Sequence, residues 1–324
     1  MRPIYSFVVP VFNEEAVLEH FYVRLAEVVA SLDGEAELVF VDDGSRDATP
    51  VILRELVARD SRVRVLEFSR NFGHQAAITA GLDVASGDAV IVMDADLQDP
   101  PEVVPRLIER WREGAEMVFA VRTARRDSLM KRLFARIFYR LLRQDSSAPI
   151  PLDAGDFRLI DRRAVLSFRA LRERNRYVRG MMAWVGFRQA PVYYERPERA
   201  AGRPKYSFGR SLRLAVDGLL SFSDLPLRAA TIVGLVISIG AFLLGAWAIT
   251  LKLVGAYVVP GWVSLLAPLA FLAGIQLIVL GMLGLYLGRI YDEVKQRPVY
   301  IVRDAYGFDT SRTPHVLERT QAGP

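Results

Sequence analysis

The amino-acid sequence predicts an α/β domain with a mostly parallel sheet, followed by a hairpin of two membrane helices. Over the first 121 residues, short apolar segments alternate with longer segments that have the spacing of amphipathic helices. Two long apolar stretches without charged residues follow towards the carboxyl end. The composition agrees with this organisation, because 52% of the 324 residues are hydrophobic and the mean hydropathy is +0.19.

The amino-terminal part alternates five predicted strands with four predicted helices. The strands are IYSFVVPVF, AELVFVDDGS, RVRVLEFS, GDAVIVMDADLQ and AEMVFAVR. The helices between them are EEAVLEHFYVRLAEVVASL, DATPVILRELVARD, GHQAAITAGLDVAS and PPEVVPRLIERWREG. In the second helix, Thr49 is the predicted N-cap and Pro50 the first helical residue. This alternation favours a Rossmann-like, mostly parallel sheet with helices on both faces.

Four polar motifs follow the first four strands at their carboxyl ends. They are NEE, DDGS, RNFGH and DADLQ. In open α/β sheets, ligands bind beyond the carboxyl ends of the strands. The sequence therefore predicts that the four motifs meet at one ligand-binding edge.

The fourth motif carries a dense cluster of acidic residues: Asp94, Asp96, Asp99 and Glu102. Like charges this close repel, and burial makes the repulsion worse. A divalent cation such as Mg²⁺ or Mn²⁺ would offset it and would leave coordination positions for substrate phosphates. The cluster therefore predicts a metal–diphosphate site, and the alternative is an acidic loop that is merely solvated.

Composition excludes some kinds of site. The chain has no cysteine, so it has no disulfide framework, thiolate nucleophile or zinc–thiolate site. The amino-terminal sequence MRPIYSFVVPVFNEE is not that of a signal peptide, because its apolar run is short and is interrupted by Pro10. We expect the α/β domain to be cytosolic.

A basic amphipathic helix is predicted at residues 127–143, DSLMKRLFARIFYRLLR. Such a helix is typical of a membrane surface, and a core or oligomer helix with a solvated face is an equal alternative. The predicted cytosolic domain covers residues 1–206 and includes this helix. An amphipathic juxtamembrane segment at 207–226 follows it.

The predicted membrane hairpin lies within residues 227–290. Its first helix is Ala229–Leu251, which is 23 residues long and spans roughly 35 Å at about 1.5 Å per residue. A turn at Pro260 and Gly261 leads to the second helix, at about residues 262–288. Basic residues flank the hairpin on its outer ends, which predicts an inner-membrane protein with both termini cytosolic and a cytosolic tail at 291–324.

The sequence also resembles a known family. VVPVFNEE, VDDGSRDAT, RNFGHQAAITAG and DADLQDPPE resemble the inverting family 2 glycosyltransferases, which have a nucleotide-sugar-binding (GT-A) fold. DAGDFRLIDR, RYVRGMMAWVGF and GRPKYSFGR are similar to the polyprenyl-phosphate glycosyltransferases, relatives of dolichol-phosphate mannose synthase. The bactoprenol (undecaprenyl-phosphate) glucosyltransferases, with two carboxyl-terminal membrane helices, are the most similar group.

The resemblance implies roles for individual residues. Pro10, Phe12 and Glu14 would line the nucleotide site, although Phe12 replaces the usual tyrosine, and helix capping is an alternative role for Glu14. Either Asp42 or Asp43 would accept a hydrogen bond from the uracil ring N–H, and turn formation is an alternative for Asp43. The metal ligands would be Asp96 and Gln98, together with Asp94, which would also lie against the ribose and the sugar.

The acceptor implied by the resemblance is a polyprenyl phosphate. A phosphate monoester has its second pKa near about 6, so the attacking oxygen is already largely anionic. We therefore expect cationic side chains at the acceptor site rather than a strong base. The candidates are Arg199, Arg203 and Lys205, with Tyr206 as a hydrogen-bond donor, and attraction to anionic lipid is an alternative role.

Four further residues come under consideration. Asp156 matches the position of the family's catalytic base, but it could instead orient the acceptor or a sugar hydroxyl. Arg179 and Trp184 would border the sugar or acceptor entrance, and a core role for Trp184 is at least as well supported. We expect His74 to be structural, because a neutral loop histidine often only satisfies backbone groups.

Taken together, these features predict a metal-dependent inverting hexosyltransferase. The expected reaction moves glucose from UDP-glucose to undecaprenyl phosphate. Alternative donors are GDP-mannose, UDP-4-formamido-arabinose and UDP-N-acetylglucosamine. An alternative of another class is a non-catalytic partner in lipid-sugar translocation. The expected partners are the donor, the lipid acceptor, the membrane and a second copy of the chain, and no nucleic acid is expected.

Overall fold

The structure is a computed structural model that describes residues 4–122, 154–171, 173–174, 176–195 and 262–308, with scattered positions between 230 and 254. The chain divides into two compact units. The first contains Met1–Tyr139, Ser147–Ser207 and Arg297–Pro324, and the second contains Arg140–Ser146 and Phe208–Gln296. The predicted helix at 127–143 and the segment at 207–226 lie outside the described residues.

The first unit is built on an eight-stranded sheet. Its strands are β1 (Tyr5–Val11), β2 (Ala36–Asp42), β3 (Val63–Phe68), β4 (Ala89–Val92), β5 (Met117–Arg122), β6 (Ala154–Asp161), β7 (Gln189–Tyr194) and β8 (Val302–Tyr306). The described helices of this unit are α1 (Leu18–Ala30), α2 (Thr49–Arg59), α3 (His74–Val84), α4 (Val104–Arg112), α5 (Arg162–Ala170) and α6 (Val178–Trp184). The five predicted strands and four predicted helices are confirmed.

The strand order is β7-β5-β6-β4-β1-β2-β3-β8. The four central strands β4, β1, β2 and β3 are parallel. Two strands run antiparallel to them, β6 beside β4 and β8 beside β3. The chain moves outward from β1 through β2 to β3 and then returns to β4 on the other side of β1. This reversal makes the carboxyl ends of β1 and β4 the expected ligand crevice.

Apolar strands buried on both faces explain the continuous hydrophobic runs in the sequence. Every residue of β1 and β4 is buried, as expected for strands covered on both faces by helices. Helix α3 packs directly on β1 at Gly81, where an added Cβ would overlap the side chain of Val8. A glycine is therefore required at this helix position by packing rather than by backbone conformation.

The predicted N-cap of α2 is wrong by one residue. Helix α2 begins at Thr49, its N-cap is Ala48, and the Thr49 backbone N–H donates to Oδ1 of Asp47 at 3.0 Å. The Thr49 hydroxyl instead accepts the backbone N–H of Glu14 at 2.9 Å. The physical reason is that a neighbouring loop uses the hydroxyl that would otherwise cap the helix.

The carboxyl-terminal part of the first unit returns to the sheet as β8. Tyr300, just before this strand, stacks on Phe68 with ring centroids 5.2 Å apart and donates to Oδ2 of Asp83 at 2.8 Å. Arg303 donates from Nη2 to Oε2 of the buried Glu67 at 2.6 Å. Aromatic packing and an ion pair therefore bind this segment to the edge of the sheet.

The second unit contains one long apolar helix among its described residues, α7 (Trp262–Lys295), which is 34 residues long. Within its segment Phe271–Lys295, the most apolar window has a mean hydropathy of 2.0 and is unburied. The segment is long and apolar enough to cross a membrane. The helix continues seven residues beyond the predicted end at Gly288. Of the other predicted span, Ala229–Leu251, 12 of the 23 residues are described, all of them helical, and the hairpin stays a prediction.

The contact between Gly81 and Val8 leads to a stability prediction. Glycine to alanine normally stabilises a helix by up to about 1 kcal/mol, but Gly81→Ala should destabilise the protein by about 1–3 kcal/mol because the new methyl group overpacks the sheet. Thermal unfolding of the detergent-purified chain should show a melting temperature lower by several degrees. Val8→Ala in the same chain should recover part of the loss, and a raised melting temperature for Gly81→Ala alone would contradict the packing.

Candidate active site

The loops that follow β1 and β2 are held together by reciprocal hydrogen bonds. The backbone N–H of Asn13 donates to Oγ of Ser45 at 2.9 Å, and the N–H of Arg46 donates to Oδ1 of Asn13 at 2.8 Å. Asn13 has a φ of +53°, in the left-handed region where asparagine is well tolerated. The NEE and DDGS motifs are therefore in direct contact, as the predicted ligand-binding edge requires.

The two adjacent aspartates after β2 have different partners. Asp43 accepts the backbone N–H groups of Phe72 and Gly73 at 2.7 and 3.0 Å, which fixes the loop that leads into α3. Asp42 accepts the Ser45 N–H with Oδ1 only, at 3.0 Å. The pKa of both carboxyls is raised above its usual value because the groups are buried. The hydrogen bonds offset only part of this rise. Asp43 thus has a structural task, while Oδ2 of Asp42 accepts no hydrogen bond from the residues that the structure describes.

Two of the four carboxylates in the acidic cluster are engaged by other parts of the chain. Both oxygens of Glu102 accept from Arg24 of α1 at 2.8 Å. The buried Asp99 accepts the hydroxyl of Tyr194 at 2.7 Å. The other two members of the cluster, Asp94 and Asp96, are the ones predicted to bind a cation.

Asp94 has a buried oxygen with an unusual environment. Among the residues that the structure describes, its Oδ1 accepts no hydrogen bond, and His74 Nε2 lies 3.5 Å away. Burial raises the pKa of this carboxyl to about 7; the charge of His74 opposes the shift, while Asp99, Asp156 and Asp96 add to it. A carboxylate oxygen left without a donor in this setting is stabilised by a bound cation.

The donor set fits a hard divalent cation in part. Asp94 and Asp96 supply carboxylates and Gln98 an amide oxygen, which match the preferences of Mg²⁺ and Mn²⁺. Oδ1 of Asp96 accepts the backbone N–H of Gln98 at 3.1 Å, so the turn holds these two side chains near each other. Among the residues that the structure describes, no group of three or more His, Cys, Asp or Glu side chains could hold a metal. The remaining ligands would therefore have to come from a substrate.

Asp156, at the start of β6, is surrounded by basic side chains. Its Oδ1 accepts from Arg179 Nε at 2.8 Å and its Oδ2 from Arg179 Nη2 at 3.0 Å, a two-pronged ion pair. His74 Nε2 lies 3.3 Å from Oδ2, and Arg158 Nη2 lies 3.7 Å from Oδ1. Burial would raise the pKa of Asp156, but the charge of Arg179 and the hydrogen bond with His74 hold it well below its usual range.

His74 lies between the two key carboxylates, at the first position of α3. Burial lowers the pKa of its imidazole, but the hydrogen bond with Asp156 and the charge of Asp94 raise it to about 9. Sequence reasoning expected a structural role for this residue. The signal that could have located it was its place in RNFGH, one of the four motifs at the ligand-binding edge.

The other predicted site residues have the following positions. Pro10 is buried in β1 and pairs in register with Val41. Phe12 is 36% exposed, as a side chain that stacks on a ligand must be, and Trp184 is 60% exposed, which argues against a core role. The acceptor candidates Arg199, Arg203, Lys205 and Tyr206 lie outside the described residues.

Comparison with known proteins gives consistent matches. The sequence profile of glycosyl transferase family 2 matches residues 6–167. The SfII prophage-derived bactoprenol glucosyl transferase of Shigella flexneri is 47% identical over 302 residues, which are 93% of this chain and 98% of that protein. The prophage bactoprenol glucosyl transferase homolog of Escherichia coli (strain K12) is 46% identical over 299 residues, covering 92% of this chain and 98% of that protein.

A solved structure with a similar fold is that of glucosyl-3-phosphoglycerate synthase from Mycobacterium tuberculosis in complex with Mn²⁺, UDP-glucose and phosphoglyceric acid. It is 22% identical, has a TM-score of 0.47, and the match covers 68% of this chain and 79% of that one. The family profile spans half of the chain, and the bactoprenol relatives match nearly all of it. The chain therefore belongs to glycosyl transferase family 2, within the group of the bactoprenol (undecaprenyl-phosphate) glucosyltransferases.

Proposed function

We propose that the protein transfers glucose from UDP-glucose to undecaprenyl phosphate, with inversion at the anomeric carbon. The observation that carries the proposal is the match to bactoprenol glucosyl transferases over more than nine-tenths of the chain. The same chemistry with GDP-mannose, UDP-4-formamido-arabinose or UDP-N-acetylglucosamine remains the alternative. A non-catalytic translocation partner is disfavoured, because it would have no use for a carboxylate oxygen of Asp94 that is buried without a hydrogen bond among the described residues.

The nucleotide would bind beside Phe12 and Asp42. An exposed phenyl ring offers a face on which a base can stack. Oδ2 of Asp42 can accept the ring N–H of uracil, whereas both oxygens of Asp43 already accept backbone N–H groups. Adenine and cytosine lack a ring N–H at the base-pairing edge, so an aspartate in this place favours uracil or guanine. Pro10 and Glu14 would complete the wall of this site.

The diphosphate would bind next to the acidic cluster. Asp94, Asp96 and Gln98 would hold Mg²⁺ or Mn²⁺, and Asp94 would also lie against the ribose and the sugar. When bound, such an ion stabilises the negative charge that builds up on the leaving diphosphate. The chain's own contribution is to keep the two carboxylates in place through the turn at Leu97, whose φ is +60°.

The acceptor would attack directly. An anionic phosphate oxygen forms the new bond to the anomeric carbon while the bond to the nucleoside diphosphate breaks, so the configuration inverts and no proton has to move. The difficulty lies in bringing a dianion to a donor that is already negative. Arg199, Arg203, Lys205 and Tyr206 would bind this phosphate, and Asp156 would act next to it.

The return strand supports a membrane hairpin. Strands β7 and β8 belong to one sheet, so the chain between Tyr194 and Val302 must cross a membrane an even number of times. One candidate span, Phe271–Lys295, is present among the described residues. If this span crosses a membrane, a second crossing would be needed, and Ala229–Leu251 is the stretch whose length and composition suit it. The catalytic domain and both termini would lie on the cytosolic side of the inner membrane.

Loss of a metal ligand should abolish transfer. Asp96→Ala should lower transfer of radiolabelled glucose into undecaprenyl phosphate by at least about 10²-fold, because the diphosphate loses charge stabilisation. Glu102→Ala is the matched control, since this carboxylate lies on the same loop but is paired with Arg24. Wild-type enzyme should be tested with each candidate donor, with and without Mn²⁺. Undiminished transfer by Asp96→Ala would remove the metal from the mechanism, and transfer from another donor only would correct the sugar.

Substitutions of the two adjacent aspartates, Asp42 and Asp43, should have different effects on UDP binding and on stability. Asp42→Asn should weaken UDP binding by about 10- to 100-fold, the worth of one hydrogen bond to a charged group, with little change in melting temperature. Asp43→Asn should chiefly lower the melting temperature, because the Phe72–Gly73 loop loses its anchor. Calorimetric titration with UDP and thermal unfolding measure the two effects. The reverse assignment would follow if only Asp43→Asn lost affinity.

Membrane topology can be tested cleanly because the chain has no cysteine. A single cysteine at Gly255, between the two proposed spans, should react with a membrane-impermeant maleimide added outside spheroplasts. A cysteine at the exposed Glu109 of α4 should react only after the membrane is permeabilised. Labelling of both positions from the same side would rule out the hairpin.

A further inference from the structure

The carboxylate of Asp156 has little capacity left to accept a proton. Arg179 occupies one lone pair on each oxygen, at 2.8 and 3.0 Å, and His74 is 3.3 Å from Oδ2. The side chain is only 7% exposed, so water does not compete for these positions. A carboxylate neutralised by a guanidinium fork is a weak base, because protonation would have to break charge-assisted hydrogen bonds.

The two basic side chains come from facing helix starts. His74 is the first residue of α3, and Arg179 is the second residue of α6. The next residue of α3, Gln75, accepts the backbone N–H of Val178 with Oε1 at 2.9 Å, which joins the first turns of the two helices. Cations are disfavoured at helix amino termini, where the helix dipole is positive. Asp156 neutralises the Arg179 guanidinium at this place and lies 3.3 Å from His74 Nε2.

His74 also connects the two sides of the site. Its Nε2 lies 3.3 Å from Asp156 and 3.5 Å from Asp94, so one nitrogen is shared between both carboxylates. About a third of the His74 and Arg179 side chains remains exposed, 39% and 36% respectively. These are therefore partly open charges at the ligand edge rather than a sealed ion pair in the core.

We propose that Asp156 works as the anchor of His74 and Arg179 rather than as a proton acceptor, and that these two residues are positioning residues that fix the spacing between Asp94 and Asp156. This rests on the proposed function, in which the acceptor phosphate arrives ionised and needs no base. In that setting the Arg179 guanidinium offsets the charge of Asp156 while two phosphate groups approach. His74 and Arg179 act through the carboxylates they hold, and no proton transfer is assigned to either.

A double-mutant cycle tests whether Asp156 and Arg179 act as one unit. Asp156→Asn and Arg179→Gln should each lower kcat by about 10²-fold, and the double variant should be no worse than about 10²-fold, because the carboxylate and the guanidinium hold each other in place. If the two residues contributed independently, the double variant would lose about 10⁴-fold. Multiplicative losses would overturn the proposal.

His74 provides the second arm of the experiment. His74→Gln and His74→Asn both keep a polar side chain. Each should lower kcat by about 10-fold or more and change the donor KM less than about threefold. This pattern is expected when the geometry of the site is lost rather than the binding of the ground state. The exposed residues His20 and Arg106, changed to Gln, are matched controls that should retain wild-type kcat. Wild-type kcat in both His74 variants would overturn the proposal, as would a kcat loss fully explained by a lower folded fraction in thermal unfolding.

The cycle should be run with whichever donor the wild type uses, so that a different sugar corrects the proposed function without affecting this test. If wild type transfers no sugar, the proposed function fails, and the cycle is measured on Mn²⁺-dependent UDP affinity instead. Non-additive changes in that affinity on combining His74→Gln with Asp156→Asn would support the anchor, and additive changes would refute it.

Discussion

Crowded negative charge at one edge of the sheet is the constraint on which the rest of this site depends. Parallel strands deliver their carboxyl ends to that edge, and here they carry aspartates after β2 and β4 while β6 adds Asp156. Repulsion of this kind is tolerated only if each carboxylate has its own compensation. The compensating group differs for each carboxylate. Backbone N–H groups donate to Asp43, a tyrosine hydroxyl donates to Asp99, and a guanidinium fork binds Asp156. Among the described residues, the buried Oδ1 of Asp94 accepts no hydrogen bond and has His74 Nε2 at 3.5 Å, which makes it the oxygen we assign to a cation.

The compensating contacts also explain why the loops have defined conformations. Gly44 has a φ of +70°, and an added Cβ would overlap the backbone of Arg70 and Asn71, so the loops after β2 and β3 approach at a point where only glycine fits. In the same turn, Asp43 accepts the backbone N–H of Phe72, which lies in the loop after β3. The dipeptide after β2 therefore serves both folding and binding: Asp43 joins the loops, and Asp42 is left beside the place proposed for the base. The structural role of Asp43 and the ligand-binding role proposed for Asp42 are therefore compatible.

Sequence reasoning succeeded where local pattern decides the structure. The five amino-terminal strands and their helices follow from hydrophobic periodicity, and the clustering of the polar motifs follows from parallel topology. Strands β6, β7 and β8 were not predicted, because their partners are distant in sequence and only tertiary pairing reveals them. The same limit applies to His74. Nothing adjacent to it in sequence shows that Asp94 and Asp156, 20 and 82 positions further on, meet at its ring. Thr49 failed as a cap because a loop 35 residues away takes its hydroxyl.

The antiparallel direction of β6 is what brings Asp94 and Asp156 together. Val92 is paired with Arg158 in the β4–β6 register. Two residues further along β4 is Asp94, and two residues earlier along β6 is Asp156, so continuing the register places the two carboxylates opposite each other. A parallel β6 would have brought its carboxyl end, Asp161, to this edge instead. Like charges directly opposite across strands are destabilising, and the pairing of β4 with β6 ends at Val92, before it would reach them. His74 Nε2 lies within 3.5 Å of both carboxylates. The direction of β6, the end of the β4–β6 pairing and the placement of His74 are thus three consequences of one arrangement.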